Sequence, residues 1–287
     1  MAEYVLASNA LSPSTKALIH ALQEVCNHCE TSFFVIGAWA RDLHLEYVSN
    51  IHPYRGTSDT DVAFSVAHWK TYDKVRNMLI DEFGFREGEN VERLRAPQDN
   101  LPVDLVPFGD IEGGDPEIAW PPHYSRKMST LGLQEAKQTA DTFRPDNDIL
   151  SFRVVSLPAL AMLKLIAWSQ QPYERKKDAT DLGIILRHYY AINKERVFEE
   201  HLDLLEDDFD EQITSARLLG RDMLATLRLS TDLARAVQKI LQRQTHDVYD
   251  SLLADQMTAL PGFNEKARVR ERVQQLKSIR KELRETR

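Results

Sequence analysis

Asp59-Thr60-Asp61 is the segment of this chain with the clearest capacity for chemistry. It stands where a loop containing Pro, Gly and Ser, residues 49–58, runs into the apolar stretch DTDVAFSV at 59–66. Side chains of a strand alternate faces, so carboxylates at i and i+2 point the same way and stand close enough to share one cation. Two bare carboxylates repel, and burying them is costly without a positive charge between them. A third acid, Asp104, interrupts the apolar run Val103-Asp104-Leu105-Val106, where a lone charge is expensive unless something pairs it. Upstream, Gly37 ends the apolar run FFVIG and opens a helical pattern. At such a junction free backbone N–H groups face an incoming phosphate. Hard oxygen ligands of this kind suit a divalent cation, and a DxD by itself is equally a polar entrance to a strand.

A second group lies further along. In SLPALAMLKLIAW, Lys164 falls on the stripe of Leu157, Leu160, Ala161 and Trp168. An ammonium on an apolar face either snorkels to water or is aimed at phosphate. Arg175-Lys176-Lys177-Asp178-Ala179-Thr180-Asp181 then begins another helical pattern, with Asp178 and Asp181 neighbours on one face. Acids at a helix start also simply favour its dipole.

The elements that must position these residues divide into two kinds. Residues 12–31 begin with Ser12-Pro13 and continue as an amphipathic helix, followed by a strand at 33–37, a helix at 38–48, the strand at 59–66, a helix from His68 to Glu82 and a strand at 101–108. The Gly-, Pro- and Asp-rich segment 109–122 reads as a loop, and strand signals return within 128–155. From Ser156 the patterns are helical: 156–170, 176–190, 194–206, 210–227, 230–243, 246–254 and 264–284. The expected domains are therefore an α+β domain at 1–150 and an α-helical domain at 151–287.

Composition bounds the rest. The 287 residues are 43% hydrophobic and 28% charged with a net charge of −8, which excludes a disordered or collagen-like chain. No apolar run approaches the roughly 20 residues that span a bilayer. The first residues lack a basic segment followed by an apolar one, so the expected compartment is the cytoplasm, without a membrane partner. Acidic charge concentrates in residues 1–150, which hold 23 Asp and Glu against 13 Lys and Arg. Cys26 and Cys29 form one CxxC, without the four ligands of a closed zinc site. Residues 264–287 carry nine Lys and Arg against four Glu, with Val269, Val273, Leu276, Ile279 and Leu283 at helical spacing. That helix docks on its own domain, flanks RNA phosphate or meets a partner protein.

Strand, Gly and helix, then DxD on the next strand and a third acid on a later one, resemble the core of the nucleotidyltransferase superfold related to DNA polymerase β. Gly37-Ala38 stands where that superfold has GG or GS, and GAWARD at 37–42 is similar to the GGxxRD segment of tRNA nucleotidyltransferases. Arg55 and Ser58 precede the acids as in the RxSxDxD pattern of abortive-infection toxins. VDLVPFG, IAWPP, SLPALAMLKLIAW and KKDATDLGIILRHYY are similar to segments of the AbiEii/AbiGii toxin family.

The resemblance implies a polymerase β-like mixed sheet with flanking helices, followed by the helical domain, with the active site between them. It implies Asp59 and Asp61 as ligands of Mg²⁺ or Mn²⁺ and Asp104 as a third ligand or the base. Gly37, Ala38, Arg41 and Ser58 would bind the nucleoside triphosphate, Lys164 would contact its phosphates, and Lys177, Asp178 and Asp181 would form a further motif. The implied reaction moves a nucleotide to a hydroxyl of tRNA or protein, in a toxin–antitoxin or phage-defence setting with a cognate antitoxin. The alternatives are a small-molecule acceptor, as in aminoglycoside nucleotidyltransferases, and a degenerate module that binds nucleotide or a partner without catalysis.

Overall fold

The computed structural model describes residues 1–52, 57, 59–146, 150–205, 209–247, 250–258 and 265–285. It divides into two compact units, Met1–Ser156 and Leu157–Arg287. The first unit contains β1 (Glu3–Leu6), α1 (Pro13–His28), β2 (Ser32–Ile36), α2 (Gly37–Asp42), β3 (Thr60–Ser65), α3 (Trp69–Asp81), β4 (Arg86–Glu87), β5 (Arg93–Arg95), β6 (Pro102–Phe108), β7 (Glu117–Trp120), β8 (Arg126–Ser129), α4 (Leu133–Gln138), β9 (Asp141–Pro145) and β10 (Phe152–Val154). α2 runs directly into a wider π-helical segment, Leu43–Val48.

Eight strands form one mixed sheet in the order β1-β9-β10-β2-β3-β6-β5-β4. β3 lies antiparallel to β2 and parallel to β6, and β6 is antiparallel to β5. Alternation explains the choice of face. Val62 and Phe64 of β3, with Val103 and Leu105 of β6, enter a core shared with Leu22 and Val25 of α1 and Tyr72 and Leu79 of α3. Asp61 and Asp104, one residue out of phase, are thereby sent to the opposite face.

α1 starts as its residues require. The Ser12 hydroxyl accepts a hydrogen bond from the Thr15 amide at 3.1 Å, with Pro13 in the first turn. Segment 109–122, expected as a loop, instead contains β7, which pairs with β8. Ile118 and Trp120 alternate into the core there, a period-2 signal too short to stand out between Gly and Pro. Cys26 is buried, and burial pushes its thiol up to about 12, so it packs as an apolar group.

The second unit is helical: α5 (Leu157–Gln170), α6 (Lys176–Ile192), α7 (Lys194–Glu200), α8 (Glu211–Leu227), α9 (Thr231–Gln244), α10 (Leu252–Met257) and α11 (Glu265–Glu285). α11 docks on α8. Val273, Leu276, Ile279 and Leu283 are buried, and buried Glu282 takes Arg217 Nε at 2.6 Å and Arg221 Nε at 2.8 Å. Gly220 permits the close approach, because a Cβ there would lie 3.1 Å from the Ile279 backbone. Of the three readings of the basic C-terminal helix, docking is the one this packing displays. Among the described residues no helix is long and apolar enough to cross a membrane.

His44, in the π-helical segment, is buried between the rings of Tyr4 and Phe143. Its Nε2 lies 2.9 Å from the Val155 carbonyl oxygen, which only accepts, so Nε2 carries the proton. Burial lowers the pKa of the ring, against the opposing pull of Asp141 and the Val155 bond. The unfolded chain therefore binds this proton more readily. The stability contributed is complete above the ordinary histidine value of about 6.5 and is lost as pH falls below it. Urea unfolding at pH about 8 and about 5.5 should show a smaller acid loss in His44→Gln than in the parent; equal losses would refute the assignment.

Candidate active site

The acids meet on the sheet face away from that core. Ile36, Asp61, Asp104 and Arg93 are consecutive partners across β2, β3, β6 and β5. Partners in register share a face, so Asp61 and Asp104 are neighbours and Arg93 is the next side chain in the row. Asp59 precedes β3 on the Asp61 side of the alternation, and the Thr57 hydroxyl donates to Asp59 Oδ1 at 2.9 Å.

Arg93 neutralises the row. Its Nε donates to Asp104 Oδ1 and its Nη2 to Asp104 Oδ2, both at 2.7 Å. The same Nη2 lies 3.6 Å from Asp59 Oδ2. This two-pronged contact holds the guanidinium above its ordinary pKa. It also resolves the cost of a charge inside the β6 apolar run. Behind Arg93, the Leu105 amide donates to the Glu92 carbonyl oxygen at 2.8 Å. The Glu92 carboxylate takes Arg126 Nη1 at 2.7 Å and Nη2 at 2.5 Å, while Arg126 lies over the Trp120 ring at 4.9 Å. The β7–β8 hairpin thus braces the strand that carries Arg93.

Gly37 closes the other side. Its φ is +72°, and a Cβ built there would fall 1.9 Å from Asp61 Oδ2. Only glycine meets both conditions. The start of α2 has no side-chain cap, so its first N–H groups keep capacity for an anion. Arg41, which the resemblance places at the nucleotide, is wholly buried and bonds Asp42 through Nε at 2.7 Å. Ser58 and Arg55 lie outside the described residues.

In the second unit the structure brings Lys164, Asp178 and Asp181 together. Lys164 Nζ lies 2.8 Å from Asp178 Oδ1 and 2.8 Å from Asp181 Oδ2, and Arg175 Nε meets Asp178 Oδ2 at 2.6 Å. Burial alone would lower the Lys164 pKa; the two aspartates outweigh it and raise the value. Lys177 is exposed and stands outside this cluster.

A family model described as "Nucleotidyl transferase AbiEii toxin, Type IV TA system" matches residues 51–269. The chain belongs to this AbiEii family. The chain is thus a nucleotidyltransferase, and its mixed sheet followed by helices accords with a polymerase β-like nucleotidyltransferase fold. No curated protein matches it. Similar solved structures include an antigenic nucleotidyltransferase-like protein from Paracoccidioides brasiliensis, 16% identical, with TM-score 0.40 and coverage of 70% of this chain and 93% of that one. ANT(2")-Ia in complex with adenylyl-2"-tobramycin is 14% identical, with TM-score 0.36 over 66% of this chain and 95% of that one. A CCA-adding enzyme with ATP is 12% identical, with TM-score 0.32 over 91% and 67%.

Among the described residues no three His, Cys, Asp or Glu side chains gather to hold a metal. The donor set nevertheless fits Mg²⁺, which takes one or two carboxylates and completes its shell with water and phosphate oxygens. Asp59 and Asp61 would supply that pair; both oxygens of Asp104 are engaged by Arg93. Neither Arg93 nor Thr57 is marked by a sequence motif. The available signal for Arg93 was the alternation Arg93-Leu94-Arg95, whose middle residue is buried.

Two substitutions test these contacts. Gly37→Ala should cost at least about 1–2 kcal/mol for the positive φ alone and shift Asp61, seen as a lower urea midpoint with loss of activity; parental behaviour would contradict the contact. Lys164→Ala removes the ammonium shared by two buried carboxylates and should destabilise the chain by up to about 3–5 kcal/mol. A lysine serving only as a ligand contact would leave the unfolding midpoint in place.

Proposed function

We propose that this member of the AbiEii family transfers a nucleotide from a nucleoside triphosphate to a hydroxyl of tRNA or protein, as the toxin of a cytoplasmic toxin–antitoxin pair. The observation that carries the reading is the row of Asp61 and Asp104 in register on adjacent parallel strands, with Asp59 beside it and Gly37 packed on Asp61.

Asp59 and Asp61 would hold Mg²⁺, or Mn²⁺, together with phosphate oxygens. Bound there, the cation would neutralise charge on the triphosphate and on departing pyrophosphate. The backbone at Gly37 and Ala38 would receive a phosphate, since the helix start is uncapped. The acceptor oxygen forms its bond to the α-phosphorus in line with the α–β bridging oxygen, whose bond breaks and whose electron pair leaves with pyrophosphate. The hydroxyl proton passes to a base, the role for which Asp104 is the candidate. In the helical unit, exposed Lys177 is available to a phosphate, whereas Lys164 is committed to Asp178 and Asp181.

Each labelled triphosphate, supplied with Mg²⁺, total tRNA and cell extract, should label an acceptor. Asp61→Asn should reduce labelling at least about a hundredfold, the rate equivalent of a few kcal/mol of transition-state charge stabilisation. Equal behaviour of parent and variant with all four nucleotides would refute the reading. Labelling confined to an aminoglycoside would redirect the acceptor to a small molecule. Growth arrest on expression, relieved by Asp59→Ala, tests the toxin setting.

A further inference from the structure

Asp104 carries both of its oxygens on Arg93. The nitrogen that makes one of those bonds, Nη2, also stands 3.6 Å from the Oδ2 atom of Asp59. One guanidinium nitrogen thus stands within ion-pair reach of both carboxylates. Its hold is not that of a loose surface pair. The Arg93 and Asp104 side chains are 25% and 17% exposed, the two residues are register partners in adjacent strands, and the contact is two-pronged. The strand is fixed from behind by the Glu92–Arg126 pair and by the Leu105–Glu92 backbone bond.

We infer that Arg93 is a positioning residue that keeps Asp104 out of cation coordination in the nucleotide-free protein. This rests on the nucleotidyltransferase reading of the Asp59–Asp61–Asp104 site. The physical consequence is weak metal binding before the triphosphate arrives. Two carboxylates alone form a poor cage, and affinity at an oxygen site rises with the number of charged ligands. The cation then enters with the nucleotide, whose phosphate oxygens replace the ligand that Arg93 withholds. Arg93 acts through Asp104, so its effect belongs to metal affinity first and to turnover second.

The test measures Mn²⁺ binding by the full chain without nucleotide, from the electron paramagnetic resonance signal of free Mn²⁺. Arg93→Gln should tighten binding at least about tenfold, because Asp104 becomes a third charged ligand. Adding Asp104→Asn should return the affinity to the parental value. Arg93→Lys keeps the positive charge but loses the fork, so it should tighten binding by a smaller factor; this variant also decides the matter if Arg93→Gln does not fold. Unchanged or weaker binding in the folded variants, or tightening that survives Asp104→Asn, overturns the role of Arg93. Transfer by the parent with unchanged Mn²⁺ affinity in Arg93→Gln refutes this inference alone. Tightening in Arg93→Gln without transfer by the parent supports the Arg93 role and refutes the catalytic reading.

Discussion

Like charges on neighbouring strands of one sheet face are the constraint around which the first unit is built. Asp61 and Asp104 are brought into register because Val62, Phe64, Val103 and Leu105 must all enter the core on the other face. A slip of one residue would bury the acids and expose that apolar set, so packing on one face enforces carboxylate crowding on the other. Such crowding persists only with a positive charge in reach. Arg93 provides it from the next strand, and a cation with its phosphate ligands is the charge that nucleotidyl transfer would add.

The same rule governs the helical unit by different means. Lys164 is drawn into an apolar helix because Asp178 and Asp181 wait one face away, and Glu282 enters the α8–α11 seam because two arginines fork onto it. Breaking either arrangement on one side weakens the compensation of a buried charge, which is costlier than removing a surface pair. These groups hold helices together as well as any chemistry they take part in. A charged residue in a family motif is thus ambiguous until its neighbours are known.

Much of this was legible in residue order. The strands bearing Asp61 and Asp104, the glycine between β2 and α2, the helix from Ser12 and the helical character after residue 156 all follow from local periodicity and capping. Short elements without a full period were not legible: β1, β5 and the β7–β8 hairpin owe their existence to sheet partners. Arg93 is inconspicuous for that reason, since three residues of β5 carry almost no pattern of their own. Arg41, which the resemblance implies as a nucleotide contact, is buried in the structure and bonds Asp42.

By itself the sequence determined the residue types, the alternation that puts Asp59 and Asp61 on one side, and the family to which the chain belongs. Tertiary structure decided which charges meet. Register across β3, β6 and β5 joins residues 61, 104 and 93, and packing of α5 on α6 joins residues 164, 178 and 181. Local propensity acts over a few residues, whereas the pairing of charges far apart in the chain is set by which apolar faces must be covered.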